Sequence, residues 1–135
     1  MRCGVHADGL FVINNGQNRL HVGELDYKFA DVTASHLPGM GGNSQDGKIV
    51  DLDMDGYPDF VWVNYDGQNM LMLNQGEAKF GNFTSSMPRD YDGSRCMSVA
   101  DYDGDGRQDL FIGNRNANRI YLNKTPKPKK KAVGK

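Results

Sequence analysis

The chain has 135 residues, a formal net charge of −1 and 38% hydrophobic residues. This length suits a single domain, and the near-neutral charge argues against a nucleic-acid-binding body. The charges are unevenly placed, because all 17 Asp and Glu residues precede Lys124, whereas residues 124–135 contain six lysines and no acid.

The first predicted unit consists of three short strands within residues 8–34. Residues 10–14, 19–22 and 29–33 are rich in β-branched and aromatic side chains, which favour strands. Residues 15–18 are Asn-Gly-Gln-Asn. They predict a polar turn, because Asn and Gly tolerate the left-handed backbone that hairpin turns need.

An aspartate-rich loop follows at residues 51–59 and returns 50 residues later at 101–109. We name these segments loop one and loop two. Both have the pattern D-x-D-x-D-G-x-x-D, which places four carboxylates within nine residues. Such like charges repel unless a cation joins them. Ca²⁺ takes six to eight oxygen ligands in flexible geometry, and the glycine permits the positive φ that turns the loop round the ion.

EF-hand loops begin in the same way, but the flanking residues exclude that class. An EF-hand needs a bidentate Glu at position 12 and a helix after the loop. Position 12 is Trp62 in loop one and Ile112 in loop two, and Pro58 stands where the helix would begin. Residues 60–63 and 110–112 are instead typical of strands. Each loop is therefore predicted to connect two strands, with the ninth-position Asp as the closing ligand.

The predicted calcium ligands are the four aspartates of each loop and one backbone carbonyl at position seven. The side chain at position seven varies freely, because only its carbonyl oxygen binds. Met1, Cys3 and Val5 stand where a loop of the first unit would carry ligands, so two sites are expected. The first site comprises Asp51, Asp53, Asp55, Asp59 and the carbonyl of Tyr57; the second comprises Asp101, Asp103, Asp105, Asp109 and the carbonyl of Arg107.

The repeat extends from the loops into the strands around them. Self-similarity at a period of 20–50 residues is typical of propellers, solenoids and arrays. Several strands are apolar on both faces, as expected for sheets stacked between neighbours. First strands are predicted at 48–50 and 97–100, second strands at 10–14, 60–64 and 110–114, third strands at 19–22, 70–73 and 119–122, and fourth strands at 29–33 and 80–84.

These units predict an all-β fold, a partial β-propeller of about two and a half to three four-stranded antiparallel blades. The blade segment is predicted to span residues 1–123, with blades near 8–34, 47–84 and 96–123. A closed ring needs about four to eight blades. We therefore expect further blades from a longer chain or from self-association.

The chain resembles the VCBS/FG-GAP type of calcium-binding propeller repeat, which is related to the repeats of integrin α-subunit heads. The nearest resemblance is to cartilage-acidic-protein-like, ASPIC/UnbV-associated propellers. No Gly-Ala-Pro tripeptide follows the second strand, so the integrin subtype matches less well. The resemblance implies structural Ca²⁺, an extracellular, cell-surface or periplasmic location, and adhesion or recognition of a protein or carbohydrate ligand. It rests on residues 29–34, 99–114 and 118–123.

The candidate catalytic groups do not indicate an enzyme. His6, His21 and His36 follow no metal-ligand or triad spacing. The regular aspartate spacing favours metal binding over a glycosidase carboxylate pair. Trp62, Tyr65 and Tyr121 are more typical of core than of a ligand surface. The alternative function is a non-catalytic propeller segment attached to a secreted hydrolase or lyase.

The remaining features concern processing and the end of the chain. Residues 124–131 lack apolar residues to bury, and residues 124–135 are predicted to form a disordered, lysine-rich tail. Cys3 and Cys96 are too few for a disulfide scaffold and are expected to be unpaired thiols. Asn82 and Asn123 fit the glycosylation sequon. The first ten residues lack the apolar core of a signal peptide, and no run approaches transmembrane length.

Overall fold

Short β-strands make up most of the regular structure in the computed structural model, which describes residues 9–37, 41–76 and 79–128. The strands are β1 (Gly9–Val12), β2 (Asn15–Gln17), β3 (Arg19–Gly23), β4 (Phe29–Asp31), β5 (Gly41–Val50), β6 (Asp59–Asn64), β7 (Met70–Asn74), β8 (Phe80–Asn82), β9 (Ser94–Ala100), β10 (Asp109–Asn114) and β11 (Arg119–Tyr121). The helices are α1 (Thr33–His36) and two single 3-10 turns, Leu25–Tyr27 and Thr84–Ser86.

The strands form three antiparallel sheets. Sheet 1 has the order β1-β3-β4, sheet 2 has the order β2-β5-β6-β7-β8, and sheet 3 has the order β9-β10-β11. Strands β5 to β8 of sheet 2 and β9 to β11 of sheet 3 follow the meander order of a propeller blade, whereas β2 leaves the β1–β3 hairpin of sheet 1 to pair with β5. The sheets pack face to face. The prediction of an all-β, partial propeller is confirmed.

The centre of sheet 2 is buried on both faces, because every residue of β6 is buried. Val61 and Val63 pack with Leu110 and Ile112 of sheet 3. Phe60 and Trp62, which alternate with those valines, pack with Leu20 of sheet 1 and with Leu37. Burying each such side chain contributes roughly 1.5–3 kcal/mol. The apolar run after loop one therefore fixes sheet 2 between its two neighbours.

Three stacked aromatic rings fill the space between sheets 1 and 2. Phe60 lies between Phe11, at a centroid distance of 4.8 Å, and Phe80, at 4.7 Å. Phe11 comes from β1 and Phe80 from β8, so the stack reaches from sheet 1 to the outer strand of sheet 2. Such ring pairs add about 0.5–1.5 kcal/mol beyond the area they bury.

The fourth strands end earlier than the sequence predicts. Thr33 begins α1 and Thr84 begins a 3-10 turn, whereas both were expected within strands. The side chains of Asp31 and Asn82 accept hydrogen bonds from the N–H groups of Thr33 and Thr84, both at 3.0 Å. This local bond turns the backbone away from the sheet.

The first strand of sheet 2 is longer than the predicted 48–50, because β5 begins at Gly41. Its early residues pair with β2, which lies where a turn alone was predicted. Gly41 permits this pairing, since a Cβ there would lie 2.8 Å from the carbonyl oxygen of Gly16. The glycine content that indicated a turn also allows close backbone approach.

A repeated asparagine–serine network links neighbouring sheets. Asn18 donates to the Ser44 hydroxyl at 3.0 Å, and Ser44 donates to Asn64 at 2.7 Å. The same bonds join Asn69, Ser94 and Asn114, at 2.9 and 2.7 Å. Buried polar groups need such partners, so the network fixes how each sheet meets the next. Ser44 is thereby a structural residue.

The predicted tail begins next to loop two. Thr125 N–H donates to Asn123 at 3.0 Å, and the Thr125 carbonyl accepts from Arg107 at 2.7 Å. Residues 129–135 lie outside the described part, so their disorder stays a prediction. Cys96 is an exposed free thiol, while Cys3 lies outside the described residues. Among the described residues, no helix has the length and apolar character needed to cross a membrane.

Candidate calcium loops

Loop one connects β5 to β6, and loop two connects β9 to β10. Each loop brings three of its four aspartates together. In either cluster, one carboxylate oxygen from each residue lies within 4.8 Å of the others. Oxygen atoms at such separations can share one cation, and carboxylates are the ligands that Ca²⁺ prefers. The clusters are Asp51, Asp53 and Asp59 in loop one, and Asp101, Asp103 and Asp109 in loop two.

The fifth-position aspartates, Asp55 and Asp105, lie outside these clusters and bond to the loop backbone. Asp55 accepts the N–H of Tyr57 and Asp105 accepts the N–H of Arg107, both at 2.9 Å. Their own N–H groups donate to the first-position carboxylates, Asp55 to Asp51 at 3.2 Å. Their role as metal ligands stays a prediction, as does that of the carbonyl oxygens of Tyr57 and Arg107.

The ninth-position aspartates are completely buried. Each connects its own strand to the start of its loop and to the residue at or just after the end of the following strand. The two oxygens of Asp59 accept the N–H groups of Leu52 and Asn74, both at 2.8 Å. Asp59 thus ties the start of loop one to the end of β7. Each oxygen keeps a second lone pair, so these bonds leave it able to contact a cation.

The same arrangement recurs in loop two. Asp109 accepts the N–H of Tyr102 at 2.8 Å and that of Asn123 at 2.7 Å. Asp59 and Asp109 were predicted only as metal ligands, and their asparagine partners were missed. The available signal was a repeated Leu-Asn pair, which ends β7 at Asn74 and follows β11 at Asn123.

The carboxylates of loop one have no neutralising side chain among the described residues. Burial, together with the nearby charges of Asp59 and Asp55, raises the pKa of the Asp53 carboxyl to about 6. Burial also raises the pKa of Asp59, although the amides of Asn74 and Leu52 oppose the rise. Loop one is therefore a site of unbalanced negative charge, which a cation would relieve.

Loop two has cations of its own. The Lys124 ammonium donates to Asp103 at 2.6 Å and lies 3.6 Å from Asp105, and Arg107 pairs with Asp105 at 2.6 Å. The Arg107 N–H, helped by the guanidinium, lowers the pKa of Asp105 to about 2. The bond to Asp103 raises the pKa of Lys124.

The other predicted residues serve packing or surface contacts. Trp62 is fully buried and Tyr121 is half-buried, its hydroxyl donating to Asp90 at 2.8 Å. Tyr65 accepts from Arg115 at 3.0 Å and carries the Arg95 guanidinium 4.8 Å above its ring. His21 lies half-buried in β3, and His6 lies outside the described residues.

The region that contains both loops matches a known family. Residues 51–112, from the start of loop one into β10, match the FG-GAP-like repeat. The chain is also similar to cartilage acidic protein 1 of Homo sapiens, with 31% identity over 85% of this chain and 19% of the human protein. The chain thus spans about a fifth of that relative's length. The FG-GAP-like repeat agrees with the propeller-like stacking of the sheets.

Proposed function

We propose that each loop binds one structural Ca²⁺ and that the chain is a calcium-stabilised propeller segment for extracellular recognition or adhesion. The observation that carries this proposal is the convergence of three carboxylates in each of two equivalent loops. A single acidic cluster is common on protein surfaces. Two clusters at the same place in consecutive sheets are better explained if each binds the same kind of ion.

The donor chemistry fits calcium. Every candidate ligand is a hard oxygen, and a loop of nine residues allows the irregular, six- to eight-fold coordination of Ca²⁺. Mg²⁺ requires near-ideal octahedral geometry and gives up its water reluctantly. Asp51, Asp53 and Asp59 would hold the ion of loop one, and Asp101, Asp103 and Asp109 that of loop two. Asp55, Asp105 and the carbonyls of Tyr57 and Arg107 would complete the shells.

The ion would act on stability, because each loop joins two strands of one sheet. A ligand that binds only the folded state stabilises it by mass action, by about 2.7 kcal/mol at 100 times its Kd. Ca²⁺ would prefer the folded state because it neutralises carboxylates that the folded loop brings together. No step of chemistry is assigned to the metal.

The proposed location is supported by the family match and by calcium availability. FG-GAP repeats are typically extracellular or periplasmic. Loops of millimolar or weaker affinity fill only where calcium is abundant. The partner would be a protein or carbohydrate, with further blades from a longer chain or from self-association.

Of the two sequons, Asn82 is exposed, whereas the Asn123 amide already donates to Leu52 and Gln108 at 2.7 and 3.1 Å. We therefore expect any glycan at Asn82.

Calorimetric titration of the full chain tests the proposal. We expect two calcium sites and weaker binding of Mg²⁺, together with a lower melting temperature in EDTA. The control is the double variant Asp53→Asn with Asp103→Asn, which preserves shape but removes one charge from each cluster. An absence of calcium binding, or a melt that EDTA leaves unchanged, would overturn the assignment.

A further inference from the structure

Two arginines contact one tyrosine at the end of sheets 2 and 3 that lies opposite loop one and loop two. The loops lead into β6 and β10, whereas Tyr65 follows the end of β6 and Arg115 follows the end of β10. The Arg115 guanidinium donates to the Tyr65 hydroxyl at 3.0 Å, and the Arg95 guanidinium lies 4.8 Å from the centre of the Tyr65 ring. We name these three residues the arginine–tyrosine cluster.

Neither arginine of the cluster pairs with a carboxylate in the described part of the chain. Both are exposed, and their contact is with the uncharged Tyr65 side chain. Residues 1–123 have ten Lys and Arg against 17 acidic residues, a formal charge of −7, so the cluster is not part of a generally basic surface. Three other arginines each pair with an aspartate at 2.6 to 2.8 Å, namely Arg19, Arg107 and Arg119.

The cluster is not part of the repeat that holds neighbouring sheets together. The repeat has an offset of 50 residues, which places Asn15 at the position of Tyr65 and Gln45 at that of Arg95. Gln45 donates to Asn43 of its own strand at 2.6 Å. Sheets 1 and 2 therefore pack without an aromatic ring or a cation at these positions, so packing alone does not require the cluster.

Gly93 allows the members of the cluster to approach one another. Its φ is 72°, and a Cβ there would lie 3.2 Å from a carbon of the Tyr65 ring and 3.3 Å from the Arg115 Cβ. Glycine adopts such a backbone without steric cost and leaves room for both side chains. The tyrosine then holds one guanidinium over its ring face and the other at its hydroxyl, without neutralising either charge.

The free donors of the two arginines favour an anionic oxygen group as ligand. A guanidinium has five N–H donors in a planar fork that matches a carboxylate. Arg115 donates to Tyr65, and Arg95 donates to no acceptor among the described residues. Hydrogen bonds between arginine and carboxylate are stronger than those between neutral groups. A carboxylate beside Tyr65 would therefore meet two unneutralised guanidinium groups.

The charges next to the cluster limit the density of negative charge on such a ligand. Asp66 follows Tyr65, is exposed and accepts a bond from Asn43 at 3.1 Å. Asp92 precedes Gly93 in the chain. Both carboxylates would repel a densely charged polyanion. The site therefore suits a ligand whose carboxylates are well separated.

The same end of the sheets offers polar groups and few apolar ones. The amides of Asn43 and Gln45 can bond to sugar hydroxyls, because each has both donor and acceptor atoms. The core of a protein–protein interface is more apolar than the surface around it. Among the described residues, no exposed leucine, isoleucine, methionine or phenylalanine belongs to the segments that form this end, residues 41–45, 65–69, 91–95 and 115–118. These features favour a sugar over a polypeptide.

We infer that the arginine–tyrosine cluster binds an acidic sugar with isolated carboxylates, a uronic acid within a glycan. Arg95 and Arg115 contact the carboxylate, and Tyr65 positions both guanidinium groups. The inference rests on the proposed recognition function and names its ligand class. It does not depend on calcium, because no residue of loop one or loop two takes part.

Calorimetric titration of the full chain with a hyaluronan hexasaccharide tests the inference. This probe has one carboxylate per disaccharide, and the titration is run at physiological ionic strength so that distant charges are screened. We expect saturable binding. A chitin hexasaccharide, which has no carboxylate, should bind at least about fivefold more weakly.

Variants of the cluster should weaken hyaluronan binding without changing the melting temperature. Arg95→Gln and Arg115→Gln should each weaken it about fivefold, because each removes one exposed charge pair with the ligand. Tyr65→Phe removes only the acceptor of Arg115 and should weaken binding less than Arg115→Gln. The control is Lys28→Gln, which removes an exposed cation before β4 and should bind normally.

Several results would overturn the inference. One is the absence of hyaluronan binding, and another is equal binding by both arginine variants. A loss in Lys130→Gln without a loss in Arg95→Gln would place binding on the lysine-rich tail. An oligoglutamate peptide that binds more tightly through both arginines would assign the cluster to an acidic polypeptide and reject the sugar.

The same titrations separate this inference from the calcium proposal. Two calcium sites in a chain that does not bind hyaluronan would reject the sugar site alone. Hyaluronan binding in EDTA by a chain that binds no calcium would reject the calcium sites alone.

Discussion

Loop one and loop two have the same aspartate pattern but different surroundings. Leu52 of loop one is 7% exposed and packs between sheets 2 and 3, whereas the matching Tyr102 of loop two is 44% exposed. The Leu52 carbonyl also accepts a bond from Asn123 of sheet 3 at 2.7 Å. Loop one is therefore covered by the next sheet, whereas among the described residues no further sheet covers loop two.

The two loops also differ in the neutralisation of their charge, and here loop two has the additional contacts. Loop two is partly neutralised by Lys124 and Arg107, whereas loop one has no such cation among the described residues. The residue at the fourth position differs as well, although both backbones are left-handed: it is Met54, at φ 63°, in loop one and Gly104, at φ 76°, in loop two. The same sequence pattern is thus stabilised by packing in loop one and by ion pairs in loop two. Loop one should gain more from a bound cation, because its carboxylates are not neutralised.

The largest effect is expected from the buried ninth-position aspartates. Asp59→Ala leaves the N–H groups of Leu52 and Asn74 buried without acceptors, at a cost of about 2–4 kcal/mol in the free energy of unfolding. Asp109→Ala should cost less, because Tyr102 is exposed and water can replace the acceptor. Urea denaturation in EDTA measures both. Equal losses would contradict the difference in exposure, and losses that appear only when calcium is added would show that these residues act as ligands alone.

The next largest effect is expected from the third-position aspartates, whose substitution should affect the two loops differently once calcium is removed. Asp53→Ala and Asp103→Ala should each lower the melting temperature in saturating calcium, since each loses mass-action stabilisation of about 2–3 kcal/mol. In EDTA, Asp53→Ala should raise stability slightly by relieving repulsion, whereas Asp103→Ala should lower it slightly by freeing Lys124. Thermal melts in both conditions give the comparison. The same sign for both variants in EDTA would contradict the charge difference.

Smaller changes in stability are expected from the fourth loop position, where the backbone is left-handed in both loops. Met54→Gly should stabilise the chain by about 0.5–1 kcal/mol, because glycine adopts a positive φ without steric cost. Gly104→Ala should destabilise it by a similar amount, although no atom within 4 Å would contact the new Cβ. Chemical denaturation checks both. A destabilising Met54→Gly would show that the methionine side chain outweighs its backbone strain.

The smallest effect concerns Lys124, which is exposed. Lys124→Ala should tighten calcium binding at loop two by up to about fivefold, because the ammonium competes for Asp103 and an exposed pair contributes at most about 1 kcal/mol. Binding at loop one should not change. Calorimetric titration resolves the two sites, and an unchanged second site would show that Lys124 does not compete with the ion.

The sequence predicts the loops and most strands because their signals are local. The aspartate spacing, the glycines and the apolar runs each lie within about ten residues. The bonds that close each unit are not local: Asp59 to Asn74 and Leu52 to Asn123 join residues from separate strands or sheets. The repeated Leu-Asn pairs are visible in the sequence, but nothing in it indicates which distant groups these asparagines contact. The strand β2 was missed because its Asn and Gly residues are equally typical of a turn.

Hydrogen exchange of the two loops, followed by mass spectrometry, tests the central claim most directly. Peptides covering residues 51–59 and 101–109 would be compared in calcium and in EDTA. The account predicts that calcium slows exchange in both loops and slows it more in loop one, where no side chain substitutes for the ion. Unchanged exchange in both loops, or a larger gain in loop two, would contradict it.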